Sequence, residues 1–216
     1  MSVAFAANAP TTFEIKSANL PLVSLLLKSA DLDALATELE AWAREHLAGA
    51  HGHDVDAECR ALVTALGEAG WLRHAVAGTD FGGATDVIDT RTICLIRQTL
   101  ARHSGLADFA FAMQGLGSGA ISLAGTPEQR ARFLPGVASG RTIAAFALSE
   151  PEAGSDVAAT ATVAERVQGG WRLSGEKTYI SNGILSDMLT VECQSGNAFE
   201  YTQVVKIPSP SRRVYN

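Results

Sequence analysis

Residues 146–156 read FALSEPEAGSD, and residues 177–183 read KTYISNG. Each starts as an apolar, extended segment and then breaks into small polar residues. Pro151 has no N–H, so a strand ending in Ser149-Glu150-Pro151 cannot continue its ladder. Gly154 removes a side chain where something must come close, and Ser149 and Ser155 offer hydroxyls beside free backbone N–H groups. In the second segment an extended chain puts Tyr179 and Ser181 on one face, and Asn182-Gly183 then turns the backbone. Two readings of the first break stand open. Its composition favours an ordinary surface turn. The alternative is a cradle for a planar, electron-accepting ring, which needs an apolar edge to lie on and donors aimed at its carbonyl and nitrogen atoms. A flavin is such a ring, and donors of this kind tune its reduction.

Other motifs carry less. GLGSGA (115–120) matches the dinucleotide pattern G-x-G-x-x-G/A, but that pattern works only between a strand and a helix. Here it follows an Ala-rich helical segment, so close helix packing is the better reading. SGEK (174–177) matches S-x-x-K, whose lysine must stand one helical turn from its serine; a strand places the two residues on opposite faces. His51, His53 and Asp54 have no matched third and fourth partner elsewhere and read as a solvated loop, with no metal expected. Neither a Gly-x-Ser-x-Gly elbow nor a P-loop occurs.

The elements that position these residues change character along the chain. Leu32, Leu35, Leu39, Trp42 and Leu47 recur at helical spacing. Asp54 is placed to cap a second helix carrying Val55, Cys59, Leu62, Val63 and Leu66, with Gly70 at its end. GTDFGGAT (78–85) is a turn by composition. Further helices are expected over about 86–103, about 107–124 and from Thr126, where Thr126-Pro127-Glu128-Gln129 spells a capping box with proline at the first helical position. After Arg141 the period becomes two. Strands are expected at 141–149, about 160–167, through Trp171 and Leu173 to Tyr179 and Ile180, and at 188–193, with a tight turn at Gly169-Gly170. Tyr201 to Ile207 alternates weakly and PSPSRR reads as a tail. Helices first and strands second mean segregated α and β parts. The strands are too few to close a barrel or to cover both faces of a sandwich.

The 216 residues are 47% hydrophobic and 19% charged with a net charge of −6, a globular balance with no electrostatic footprint for nucleic acid. Cys59, Cys94 and Cys193 show no paired spacing, which points to a reducing compartment. The start of the chain has no basic n-region, and the apolar run 20–27 carries Pro21, so neither a secretory signal nor a membrane span is expected and the cytoplasm is the default location.

Taken together, FALSEPEAGSD and GEKTYISNG (175–183) resemble the acyl-CoA dehydrogenase family in order, spacing and composition. That family carries an aromatic-x-aliphatic-Thr/Ser-Glu-Pro-x-Ala-Gly-Ser-Asp run followed by Gly-x-Lys-x-Trp-Ile-Thr/Ser-Asn-Gly. DFGGA (80–84) and GTPEQRARFLPGVASG (125–140) are similar to two upstream family segments. The resemblance runs from about residue 28 to about residue 192. It implies an α+β fold, an N-terminal helical bundle followed by an incomplete antiparallel β-domain. The divisions are a lead-in at 1–28, a helical domain at 29–140, part of a middle β-domain at 141–207 and a tail at 208–216.

The resemblance further implies FAD as cofactor and α,β-desaturation of an acyl-CoA thioester. Electron-transfer flavoprotein or another acceptor would take the electrons, and the full-length family member would be a homo-oligomer. Family flavin contacts fall on Phe146, Leu148, Ser149, Gly154, Ser155, Tyr179, Ile180 and Ser181, and Ser155 also touches the acyl ligand. Tyr179 stands where the family usually has tryptophan, and Ser149 replaces the commoner threonine. The family's carboxylate base lies in a C-terminal helical domain to which nothing here corresponds. No catalytic residue is therefore assigned, Glu150 and Glu152 are not substitutes, and the chain is expected to be a truncated form inactive alone. Two alternatives accompany this reading: a flavin monooxygenase or acyl-CoA oxidase on the same scaffold, and a non-enzymatic truncated or subunit-pairing module.

Overall fold

The computed structural model describes residues 30–48 and 54–195, together with the backbone of 203–205. The lead-in at 1–28, the His51–His53 loop and the PSPSRR tail lie outside the described residues.

The helical part is built as its apolar spacing requires. Helix α1 (Ala30–His46) buries Leu39 and Ala43 completely. Helix α2 (Val55–Glu68) is capped by Asp54, whose carboxylate accepts from the Ala57 N–H at 3.0 Å, and it buries Cys59, Val63 and Leu66. Gly70 takes the left-handed conformation that ends this helix (φ 82°), and Trp71–Ala75 follow as a short 3₁₀ turn. Helix α3 starts at Thr90 and runs to His103, later than Asp86. Asp89 is its cap, accepting from the Arg91 N–H at 3.0 Å. Asp86 is spent instead on closing the preceding turn, where it accepts from the Thr79 N–H (3.1 Å) and hydroxyl (2.6 Å). Helix α4 (Gly105–Ala124) is capped by Ser104. Helix α5 (Pro127–Ala138) opens with the expected capping box between Thr126 and Gln129. No described helix is long and apolar enough to cross a membrane.

The strands are β1 (Ala144–Ala147), β2 (Val163–Val167), β3 (Gly170–Ser174), β4 (Met188–Val191) and β5 (Gln203–Val205). They form a three-stranded sheet in the order β1-β4-β5 and a separate β2-β3 hairpin. The antiparallel character expected of the β-part holds for β2-β3 and β4-β5, whereas β1 and β4 run parallel, with Phe146 opposite Thr190. A parallel pair needs a long crossover, and residues 148–187 supply it, so both polar breaks lie within one connection. The hairpin is tied to the sheet where the Ala164 N–H donates to Gln194 O and the Gln194 N–H donates to Thr162 O, both at 2.8 Å.

Helix α4 is the floor on which the sheet rests. The Gln114 side chain takes the Ala144 N–H on Oε1 (2.8 Å) and gives Nε2 to Thr142 O (2.7 Å). The Thr190 hydroxyl donates to Gly117 O at 2.7 Å. The GLGSGA segment thus lies inside α4 as a close-packing surface and opens no dinucleotide loop. A Cβ on Gly117 would stand 2.7 Å from the Ala144 Cβ and 2.8 Å from the Ala145 N, whereas one on Gly119 would meet nothing within 4 Å. Gly117→Val is accordingly expected to destabilise the fold by about 3 kcal/mol, through overpacking against backbone that cannot yield. Gly119→Ala should stabilise it by up to about 1 kcal/mol through helix propensity. Chemical denaturation of the two variants checks the contrast.

Candidate functional site

Strand β1 leaves the sheet carrying the first polar break. Ala145 and Ala147 are buried, while Phe146 between them is half-buried on the other face, and Leu148 and Ser149 are also half-buried. Glu150 and Ala153 exchange both backbone hydrogen bonds (2.9 and 3.2 Å) around Pro151 and Glu152, which closes a tight turn. Proline with its fixed φ suits the second position of that turn. Gly154 and Ser155 follow, both exposed, and a Cβ on Gly154 would touch nothing within 4 Å.

The second break lies directly beside the first. The Thr178 N–H donates to Ser149 O at 2.9 Å. The Lys177 ammonium donates to Leu148 O at 2.8 Å and pairs with the Glu150 carboxylate at 2.8 Å. Both charged side chains are buried, 10% exposed for Lys177 and 5% for Glu150. Glu150 further accepts from the Ala161 N–H (2.7 Å), the Thr162 N–H (3.0 Å) and the Thr162 hydroxyl. The carboxylate therefore ties together three stretches of chain.

The electrostatics follow from that wiring. Burial alone would raise the Glu150 carboxyl, but the hydrogen bonds from Lys177, Thr162 and the Ala161 and Thr162 amides outweigh it and bring it down to about 2. Glu192, buried just after β4, goes the other way. Burial raises its carboxyl, Lys177 offsets part of this, and the Glu150 charge adds to it.

The strand expected through Tyr179 and Ser181 is not formed, and this corrects the same-face pairing of those two side chains. Tyr179 has φ 55° and Asn182 φ 59°, and a turn closes where the Gly183 N–H donates to Ile180 O at 3.0 Å. Period-two alternation requires every residue to be extended, and the left-handed backbone at Tyr179 breaks it. Tyr179 is 97% exposed, while Ile180 and Ser181 are half-buried. Behind them the loop is anchored to the helices. Leu185 joins the helical core, and Asn182 Oδ1 accepts from the Cys59 thiol of α2 at 3.7 Å. The Thr178 hydroxyl and Asn182 Nδ2 are buried with no hydrogen-bond partner among the described residues.

Of the sequence-derived site residues, the structure brings Leu148 and Ser149 against the segment that leads into Tyr179. Gly154 and Ser155 stand beyond the turn, and Phe146 is inside β1. No cluster of three metal-ligating side chains occurs among the described residues. Sequence reasoning missed Lys177, set aside with the S-x-x-K match, and it missed the organising role of Glu150 and Thr162 and the burial of Glu192 beside them. The available signal was a charged residue at the edge of each apolar segment, Glu150 in one and Lys177 in the other.

The Glu150 pair has a pH signature. Its folded value lies below the ordinary 4.5, so its stabilisation is complete above about 4.5 and is lost as pH falls toward about 2. The difference corresponds to about 3 kcal/mol, and Glu150→Gln should remove this slope from acid unfolding curves. At neutral pH the same variant should cost about 3–5 kcal/mol, because Lys177 is left buried and uncompensated. Glu192→Gln should raise the thermal midpoint at neutral pH, since it removes a carboxyl whose charged form is disfavoured by burial and by the Glu150 charge.

Comparison with known proteins points one way. The family model described as acyl-CoA dehydrogenase, N-terminal domain, matches residues 29–141, and that of the acyl-CoA dehydrogenase middle domain matches residues 145–211. A probable acyl-CoA dehydrogenase of Bacillus subtilis is 34% identical over 148 residues, which are 68% of this chain and 24% of that protein. The human mitochondrial very long-chain specific acyl-CoA dehydrogenase is 46% identical over 111 residues, 50% of this chain and 17% of its own length. Among solved structures, an acyl-CoA dehydrogenase from Bacillus anthracis complexed with FAD superposes with a TM-score of 0.69 at 27% identity, covering 83% of this chain and 31% of that one. The chain thus spans less than a third of the length of each of these relatives.

Proposed function

The chain belongs to the acyl-CoA dehydrogenase family, and on that premise we propose that residues 146–156 and 177–183 form part of an FAD site serving the oxidation of an acyl-CoA thioester. The observation that carries this reading is Tyr179. A tyrosine held at positive φ is uncommon and costs strain, and here that strain holds an aromatic ring almost wholly in the open beside two polar loops. A planar ligand stacking on the ring gives the strain a purpose.

The neighbouring residues fit a flavin. Phe146 and Leu148 supply an apolar edge. Ser149 supplies a hydroxyl and an N–H that finds no acceptor among the described residues. Gly154 leaves its backbone open. Ser155 can donate to the ring or to the thioester carbonyl, and Ile180 and Ser181 continue the wall beyond Tyr179. When bound, the flavin would accept the hydride that desaturation removes. The chain's own part is to hold the ring, exclude water from one face and aim donors at the atoms that gain negative charge.

Removal of the substrate's α-proton is assigned to neither local carboxylate. Glu150 is buried, ion-paired and supplied with three further donors, and with its carboxyl at about 2 it is a poor base. Glu152 is exposed on the outside of the turn. Electron-transfer flavoprotein or another electron acceptor, and a homo-oligomeric assembly, complete the reading for the whole enzyme.

FAD titrated into the 216-residue chain should give a yellow complex, and Ser155→Ala and Tyr179→Ala should each weaken it, Tyr179→Ala by about tenfold from lost stacking. The flavin should not bleach rapidly when acyl-CoAs of different chain length are added to this chain alone. A colourless mixture, or affinity indifferent to both variants, would sink the flavin site. Rapid bleaching would instead overturn the exclusion of Glu150 and Glu152 as the proton acceptor.

A further inference from the structure

We infer that Lys177 is a positioning residue of this site: by holding Leu148 O with its ammonium while paired to Glu150, it turns the Ser149 N–H outward as a fixed donor for an electron-rich atom of the ligand. The inference rests on the flavin reading given above and adds a residue that does not itself line the ring.

The argument is one of peptide geometry. The 148–149 peptide is trans, as are all those described, so its C=O and N–H point in opposite directions. Lys177 Nζ fixes the C=O end at 2.8 Å. The next peptide is fixed in the same sense, because Ser149 O accepts from the Thr178 N–H at 2.9 Å. On its far side the Glu150 N–H is taken by Ala153 O at 2.9 Å. Of the donors in this short run, Ser149 N–H is thus oriented by its neighbours yet has no acceptor among the described residues. An oriented donor without a partner is costly when it is shielded from water. An arrangement that spends a buried lysine on keeping it so is explained by a ligand that completes it.

Lys177 suits the task better than a neutral donor. Its charge is needed beside Glu150, and an ammonium carries three donors on one nitrogen, so a single atom can serve a carboxylate and a carbonyl together. Glu150 in turn is held by Thr162 and the Ala161 amide, next to the β2–β3 hairpin. The lysine is therefore braced from a part of the fold that does not carry the two site loops. Removing the ammonium takes away the hydrogen bond that holds the 148–149 peptide itself, so the Ser149 N–H is kept in place only through its neighbours and its aim loosens.

The test uses the 216-residue chain with FAD. Lys177→Met should weaken the complex by about tenfold or more and shift the bound flavin's reduction potential to a more negative value, since a donor to the developing charge is no longer fixed. Lys177→Arg, which keeps charge and donors, should recover most of both changes. In the ligand-free chain, amide exchange at Thr178 should quicken in Lys177→Met while the α4 core stays protected, which separates loop release from general unfolding. If Lys177→Met does not fold, Lys177→Gln and Lys177→Arg carry the same comparison. A folded variant with unchanged affinity and potential overturns the inference, and so does unchanged exchange at Thr178. If the unsubstituted chain takes up no FAD, the flavin reading fails on its own account. Faster exchange at Thr178 in the variant would then still support the clamp as the organiser of the two loops.

Discussion

A buried lysine facing a buried glutamate is an expensive thing to fold. Each charge loses its water, and the attraction between them returns that cost only when the remaining donors and acceptors are also satisfied. The Glu150–Lys177 pair meets that condition, with the carboxylate receiving four donors in all and the ammonium also serving a backbone carbonyl. Strand β1, the connection into the hairpin and the segment leading to Tyr179 are separate in sequence, and they converge on this ion pair. The shape of the site follows from it: the two polar breaks are adjacent because one side chain from each meets the other.

The helical half plays a different part. Its cluster of Leu39, Val63, Leu66, Leu72, Ile96, Leu100 and Phe111 is a conventional apolar core, and the site loop reaches into it through Leu185. The loop around Tyr179 is thus strained at its tip and well held behind. Strain of this kind persists only where the surroundings over-determine the backbone. Here Thr178 is bonded on one side and Leu185 is packed on the other.

Much of this was legible from residue types. Helical spacing placed α1 and α2, the Thr126–Gln129 capping box was spelled out letter by letter, and the two polar breaks marked the loops that now lie together. What escaped was tertiary. The apolar spacing starts α3 near residue 86, but Asp86 is engaged by the Thr79 turn, and Asp89 caps the helix instead. The parallel pairing of β1 with β4 leaves no trace in local alternation, because its partner lies beyond a forty-residue connection. Tyr179 looked like a strand residue because β-propensity reports side-chain type and is blind to a backbone forced left-handed by its neighbours. Lys177 was tested only as the partner of Ser174 in the S-x-x-K pattern, and its actual partner, Glu150, lies 27 residues away in sequence.

The fit of Gln114 to the edge of β1 bears on mechanics. One side-chain amide engages the acceptor of residue 142 and the donor of residue 144 at once, standing in for a neighbouring strand. The Thr190 hydroxyl pins the adjacent strand to the same helix one turn further on. To slide the sheet along α4 by a single residue would break all three bonds together. The register of the sheet on α4 is therefore set by hydrogen bonds from side chains of both layers, in addition to apolar packing.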